Sequence, residues 1–200
     1  MSNKSALPRI IKNTTLGQFL CKPRITGAIC PSSSGLGKML CDEIELEKAK
    51  VVVELGPGTG AITKFIVERI APDARFFSVE LNKNVVSTFR KNFPKLKIYN
   101  DSASNLPNIL KSEGIANADV IISGLPWAAF PDDLQEELLS AICEALPPNG
   151  MFTTFAYLQG RFLPAGCKFN KRLKQYFTTV KCSNIVWMNL PPAFVYRCQK

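Results

Sequence analysis

The chain has 200 residues, 46% of them apolar and 20% charged, which suits one globular domain and excludes wholesale disorder. It contains no histidine, so Ser-His-Asp triads, Cys-His dyads and His-ligated metal sites are ruled out. The net charge of +9 is uneven: residues 1–41 carry six Lys/Arg and residues 161–200 carry eight, neither with an acid, while the middle holds all 16 acids against 11 bases.

Two ends without a single carboxylate point to a partner rich in phosphate, either an anionic membrane surface or a nucleic acid. The seven cysteines form no Cys-x-x-Cys pair and are odd in number, so reduced thiols are expected, with neither a disulfide framework nor a metal site. No apolar run reaches the length of a membrane span. The first twenty residues are broken by Lys4, Pro8, Arg9 and Lys12 and lack the apolar block of a signal peptide. A cytoplasmic location is the expectation.

In chain order, Ala6, Leu7, Ile10 and Ile11 suggest a basic amphipathic helix with Arg9 and Lys12 alongside. Leu36, Met39, Leu40 and Ile44 form a second helical stripe, with Ser33 or Ser34 as N-cap. Val51–Leu55 is a short apolar run before glycines and reads as a buried parallel strand. A helix follows over 61–70, with Ile62, Phe65, Ile66 and Ile70 on one face. Residues 75–80 read as a strand, and Val85, Val86, Phe89 and Phe93 mark the next helix. Residues 96–99 form a third strand, and a short helix surrounds Leu106, Ile109 and Leu110. Residues 119–122 form a fourth strand. Leu134, Leu138, Leu139, Ile142 and Leu146 define an amphipathic helix ended by Asn149-Gly150, before a fifth strand over 151–157. Such β-α alternation predicts a parallel sheet with helices on both faces. Residues 179–187 and 193–198 are strand-like around Asn189-Leu190-Pro191-Pro192, which predicts an antiparallel pair closing the sheet.

Gly56, Gly58 and Gly60 follow the first strand and open a helix, where glycine admits positive φ and the close approach of a ligand. Glu80 ends the next strand, twenty residues after Gly60, and a carboxylate there accepts ribose hydroxyls. Asp101 follows the third strand, where an adenine edge would lie. These features fit a nicotinamide dinucleotide almost as well. Glu54 tips the balance, because a carboxylate before the glycines opposes a pyrophosphate but suits an ammonium.

The run Glu54-Leu55-Gly56-Pro57-Gly58-Thr59-Gly60 resembles motif I of the class I methyltransferases. The resemblance implies a Rossmann-like seven-stranded sheet, mostly parallel with an antiparallel last strand, and S-adenosylmethionine as cofactor. It implies cofactor contacts from Glu54, Gly56, Gly58, Thr59, Gly60, Glu80, Asp101 and Gly124. Ser123-Gly124-Leu125-Pro126-Trp127 is similar to the Asn-Leu-Pro-Tyr segment of the rRNA adenine dimethylases, with Gly124 in place of the amine-binding asparagine. Gly17–Leu20 resembles another motif of those enzymes.

A closer resemblance is to the bacterial phospholipid N-methyltransferases. It rests on Gly27-Ala28-Ile29-Cys30-Pro31-Ser32-Ser33, on Ser123-Gly124-Leu125-Pro126, and on Asn189-Leu190-Pro191-Pro192-Ala193. This resemblance implies methyl transfer to the amine of phosphatidylethanolamine-type lipids by a peripheral membrane protein. The expected organisation is an N-terminal helical segment over 1–45 that contacts membrane or substrate, followed by a methyltransferase domain over 46–200. Trp127, Phe155 and Tyr157 lie at strand ends where aromatic faces suit a methylated ammonium, and Trp127 and Tyr157 are the chosen acceptor-site residues. No general base is identifiable. An RNA adenine methyltransferase and a non-catalytic cofactor-binding protein are the alternatives.

Overall fold

A computed structural model describes residues 34–200. The expected N-terminal amphipathic helix and the motifs at 17–20 and 27–33 lie outside the described residues. The elements are α1 (Ser34–Cys41), β1 (Val51–Leu55), α2 (Thr63–Val67), β2 (Arg75–Val79), α3 (Lys83–Asn92), β3 (Lys97–Tyr99), α4 (Leu106–Ser112), β4 (Val120–Ser123), α5 (Asp132–Ala145), β5 (Met151–Tyr157), α6 (Pro164–Tyr176), β6 (Thr179–Cys182) and β7 (Ala193–Gln199). The strands form one seven-stranded sheet in the order β3-β2-β1-β4-β5-β7-β6. Strands β1 to β5 pair in parallel, and β7 runs antiparallel to both β5 and β6. The chain order reverses between β1 and β4, where open α/β sheets leave a crevice for ligands.

Local chemistry explains most boundaries. Asn82 caps α3 by accepting the Asn84 amide at 3.0 Å. Asp132 and Asp133 place negative charge in the first turn of α5. Pro164 occupies the first turn of α6, where its missing N–H costs nothing. The central strands are apolar on both faces because both are covered. One face packs Val53, Leu55, Ile121 and Phe152 against α4, α5 and α6. The other packs Val52, Ile122 and Val195 against Leu36 and Leu40 of α1 and Phe65 and Ile66 of α2.

Three sequence expectations shift. The helix expected over 61–70 contracts to Thr63–Val67, because the turn from the glycines consumes its start. The strand expected over 179–187 ends at Cys182, with Val186 making only an isolated bridge to Ala193. Helix α6 was not anticipated, although Pro164 and the buried pair Phe169 and Leu173, four apart, carry its signal. The expected boundary at 45/46 also falls inside continuous packing. Leu36, Leu40, Cys41 and Ile44 are buried with the sheet, so residues 34–45 belong to the core of the domain.

Helix α1 is held by Arg197 of β7, which is only 5% exposed. Its guanidinium donates to the carbonyl of Asp42 at 2.8 Å and to that of Met39 at 3.1 Å, at the end of the helix where carbonyls lack intrahelical partners. The hydroxyl of Thr153 donates to the Leu40 carbonyl at 3.1 Å. Arg197→Met keeps the apolar volume but removes both guanidinium donors. Among the described residues this leaves the Asp42 carbonyl without a donor and the Met39 carbonyl with only the Asp42 N–H at 3.4 Å. We expect it to lower stability by about 2–4 kcal/mol, read as a lower urea midpoint at unchanged slope.

Candidate active site

Sheet register brings the site together. Leu55 is level with Val79 on one side and Ser123 on the other, and Val79 is level with Tyr99. The residues that follow, Gly56, Glu80, Asn100 and Gly124, therefore form one row along the carboxyl edge. The backbone ties this row tightly: Gly56 N–H donates to Val79 at 2.9 Å, Glu80 to Tyr99 at 3.0 Å, and Gly124 to Leu55 at 2.8 Å.

The glycine loop has the conformation its composition suggests. Gly56, Gly58 and Gly60 have φ of +68°, +58° and +91°, the left-handed region that side chains resist. A Cβ at Gly58 would meet nothing within 4 Å, so this turn faces open space that a ligand can occupy. Thr59 is exposed on the loop, and its carbonyl is held by Asn92 Nδ2 at 3.1 Å.

Glu54 is fully buried. Its Oε2 accepts from Thr63 at 2.7 Å and from Ser78 at 3.1 Å, while Oε1 has no partner among the described residues. Burial pushes its pKa up to about 7, opposed by the two hydroxyl donors. A buried carboxylate oxygen left unpaired beside a glycine loop fits a cationic ligand group directly or through water. Glu80 is half-buried. Burial raises its pKa, opposed by backbone N–H groups of Asn82, Gly58 and Leu81 that point at the carboxylate. It thus orders the glycine loop as well as facing the crevice. Asp101 accepts from its neighbour Ser102 N–H and from Asn105 Nδ2, both at 2.7 Å. Each oxygen keeps a further lone pair. Together these residues offer carboxylates suited to a ligand that carries a cationic group, a ribose and a base, the groups that S-adenosylmethionine combines.

Gly124 packs more tightly than the sequence suggested. A Cβ there would lie 2.6 Å from the carbonyl oxygen of Gly56, so this position supports the cofactor loop by having no side chain.

Beyond Leu125 lies an apolar cavity of about 230 Å³, lined by Leu125, Pro126, Trp127, Ala128, Ala129, Phe155, Ala156, Tyr157, Gln159, Gly160, Leu163, Gly166, Phe169 and Tyr196. Not one of these side chains is charged. Leu125 separates this cavity from the glycine loop, for a Cβ on Gly56 would meet its Cδ2 at 2.7 Å. The structure brings Trp127, Phe155 and Tyr157 together in this wall. Trp127 is also a core residue. It is 2% exposed, stacks on Phe169 at 5.2 Å and donates its indole N–H to Ser123 Oγ at 3.1 Å. Phe155 and Tyr157 meet edge to face at 5.6 Å.

The support behind this wall is almost silent in the sequence. Gln135 of α5 donates to the carbonyls of Trp127 at 2.9 Å and Phe130 at 3.0 Å. Its own carbonyl accepts from Arg172 of α6, which also pairs with Asp132 at 3.0 Å. The buried network fixes the 125–130 segment from behind. Its one sequence signal is a glutamine on the apolar stripe next to Leu134.

The chain is similar to known methyltransferases in sequence and in fold. A family model described as a methyltransferase domain matches residues 52–150. The chain is 33% identical over 187 residues to ornithine lipid N-methyltransferase of Singulisphaera acidiphila, covering 92% of this chain and 93% of that protein. It is 27% identical over 86 residues to ribosomal RNA small subunit methyltransferase A of a Hydrogenobaculum species, covering 42% of this chain and 33% of the relative. Its fold is similar to that of the O-methyltransferase TomG from Streptomyces achromogenes, solved in complex with S-adenosylmethionine. The TM-score is 0.65 at 16% identity, over 84% of this chain and 81% of the other.

The elevated pKa of Glu54 has two consequences. Its folded value near 7 lies above that of the unfolded chain, so the stability it contributes is present in acid and is lost as pH rises through 7. A cationic ligand favours the ionised form, so cofactor affinity should rise between pH 5.5 and 7.5 and binding at pH 6 should release a proton. Titration calorimetry in buffers of different ionisation enthalpy measures both. Glu54→Gln should flatten the profile, and a wild-type profile that is already flat would remove Glu54 from the site. Glu80→Gln should weaken binding by about tenfold or more, since one charge-assisted hydrogen bond is worth ~1.5–3 kcal/mol.

Proposed function

Since the chain belongs to the S-adenosylmethionine-dependent class I methyltransferases, we propose that it N-methylates the amine of a membrane lipid, with phosphatidylethanolamine-type phospholipid as the principal acceptor. The observation that carries this reading is the uncharged, aromatic-walled cavity beside the glycine loop. Its volume of about 230 Å³ suits a small amine head group and leaves the acyl chains outside. The similarity to an ornithine lipid N-methyltransferase makes ornithine lipid the second acceptor to test.

The residues divide the work. The bound cofactor supplies an activated methyl group, so the protein's task is chiefly to position and desolvate the acceptor. No acidic or basic side chain lines the cavity, and an ammonium entering it loses hydration without gaining a counter-charge. The cavity therefore favours the neutral, nucleophilic amine over its protonated form. The proton leaves to water at the mouth. Trp127 and Tyr157 offer ring faces to the methylated cation that results. Gln135 holds the carbonyls of Trp127 and Phe130 inward, which keeps the 125–130 segment in place while the acceptor aligns.

Gly124 counts against the adenine alternative. An asparagine there would need a Cβ 2.6 Å from the Gly56 carbonyl, displacing the loop that holds the cofactor.

Incubation with methyl-labelled S-adenosylmethionine and, separately, phosphatidylethanolamine vesicles, ornithine lipid and ribosomal RNA tests the proposal. Label is expected in lipid and not in RNA; label in RNA alone would sink it. The rate should rise with pH as the amine deprotonates. Tyr157→Ala should lower kcat/KM for the lipid about tenfold, given a cation–π contribution of roughly 1–2 kcal/mol, and leave cofactor affinity within about twofold.

A further inference from the structure

Large exposed apolar side chains gather on two loops. Phe162 is 78% exposed and Leu163 53%, on the segment after β5; Trp187 is 66% exposed, Met188 88% and Leu190 76%, on the segment before β7. These segments leave the sheet side by side. Tyr157 is level with Ala193 across β5 and β7, and Leu158 N–H donates to the Pro192 carbonyl at 2.8 Å. Both loops therefore stand at the end of the sheet where the cavity opens, and Leu163 belongs to the patch and to the cavity wall alike.

The segments that carry them are basic in sequence, although Lys168, Arg172 and Arg197 pair with Asp132, Glu136 and Glu43 of other segments. From Leu158 onward the chain has eight Lys/Arg and no Asp or Glu. Arg161 is exposed beside Phe162, and its guanidinium lies over the Phe194 ring at 5.6 Å. Aromatic and aliphatic residues standing out from a cationic, acid-free segment complement a bilayer interface, whose boundary is apolar and whose phosphates are anionic. A second copy of the chain seated here would cover the cavity mouth and bring like charges together.

We propose that the 158–163 and 183–192 loops form a membrane-docking surface that sets the cavity mouth on an anionic phospholipid bilayer. Phe162, Leu163, Trp187, Met188 and Leu190 enter the boundary between head groups and acyl chains, while Arg161 stays among the phosphates. A lipid amine then reaches the cavity without its chains leaving the membrane. This inference rests on the lipid reading above.

The chain has two tryptophans, and Trp127 is 2% exposed, so changes in emission on binding report Trp187. The full chain would be titrated with phosphatidylcholine vesicles of graded phosphatidylglycerol content, with and without bromine on the acyl chains. The expected result is a blue shift and quenching by brominated chains, both growing with anionic content. The double variant Met188→Asp/Leu190→Asp, and separately Phe162→Asp, should weaken vesicle binding by about tenfold or more. Both should keep wild-type affinity for S-adenosylmethionine and wild-type methylation of detergent-dispersed lipid, and lose methylation of vesicles.

Unquenched wild-type emission with vesicle binding unchanged in the variants overturns the docking surface. So does a dimer that these substitutions dissociate without effect on vesicles, which would assign the patch to a second copy. So does a loss confined to RNA binding. Dispersed lipid separates the two claims. A wild type that methylates no dispersed lipid refutes the lipid reading, whereas methylation of dispersed lipid with loops that neither quench nor matter refutes the docking surface alone.

Discussion

The active end of this molecule depends on how closely β1 and β4 approach each other at their carboxyl ends. Gly124 N–H donates to Leu55 at 2.8 Å, and the space a Cβ would need there holds the Gly56 carbonyl. That contact sets the height of the glycine loop, and Leu125 then packs beside Gly56 as the partition between the cofactor crevice and the apolar cavity. Shifting it would move both compartments, because each takes a wall from the same few residues. Parallel strands make this arrangement possible, since all their carboxyl ends and connecting loops fall on one edge.

Two buried polar systems flank that contact and do different jobs. On one face Glu54 is held by Thr63 and Ser78 with one oxygen left over, an arrangement that costs stability in the empty protein and suits a cationic ligand. On the other face Arg172, Gln135 and Asp132 form a network whose outward product is the position of two backbone carbonyls. The first system sits where chemistry needs charge. The second holds a loop whose cavity side is free of charge. Under the proposed function, that division suits a site without histidine, whose work is placement and desolvation rather than proton storage.

Much of the fold was legible because buried parallel strands are short apolar runs and their crossover helices repeat at 3.6 residues. The run at 151–157 became β5 without adjustment, and Leu134, Leu138, Leu139 and Ile142 all face the core of α5. Errors arose where local pattern and tertiary pairing part company. Residues 183–187 look like strand but leave the ladder, and a bridge at Val186 is all that remains of it. Helix α6 was overlooked because its exposed surface is strongly basic and only Phe169, Leu173 and their neighbours mark the buried side.

What the sequence determined by itself was the glycine turn and the strand-end carboxylates of the candidate cofactor site. The glycines, Glu54, Glu80 and Asp101 each follow or end a strand, and the requirement for positive φ and a strand-end carboxylate is local chemistry that spacing reveals. Only the tertiary structure decided the apolar cavity beside it. The cavity is walled by residues from 125–129, 155–160, α6 and β7, far apart in the chain and joined by sheet register and helix packing. Tertiary structure also decided that Trp127 is both core and wall, that Gly124 is glycine because a carbonyl occupies its side-chain space, and that two separate segments with exposed apolar residues leave the sheet side by side. Such properties belong to contacts between distant segments, and no window of sequence contains both partners of such a contact.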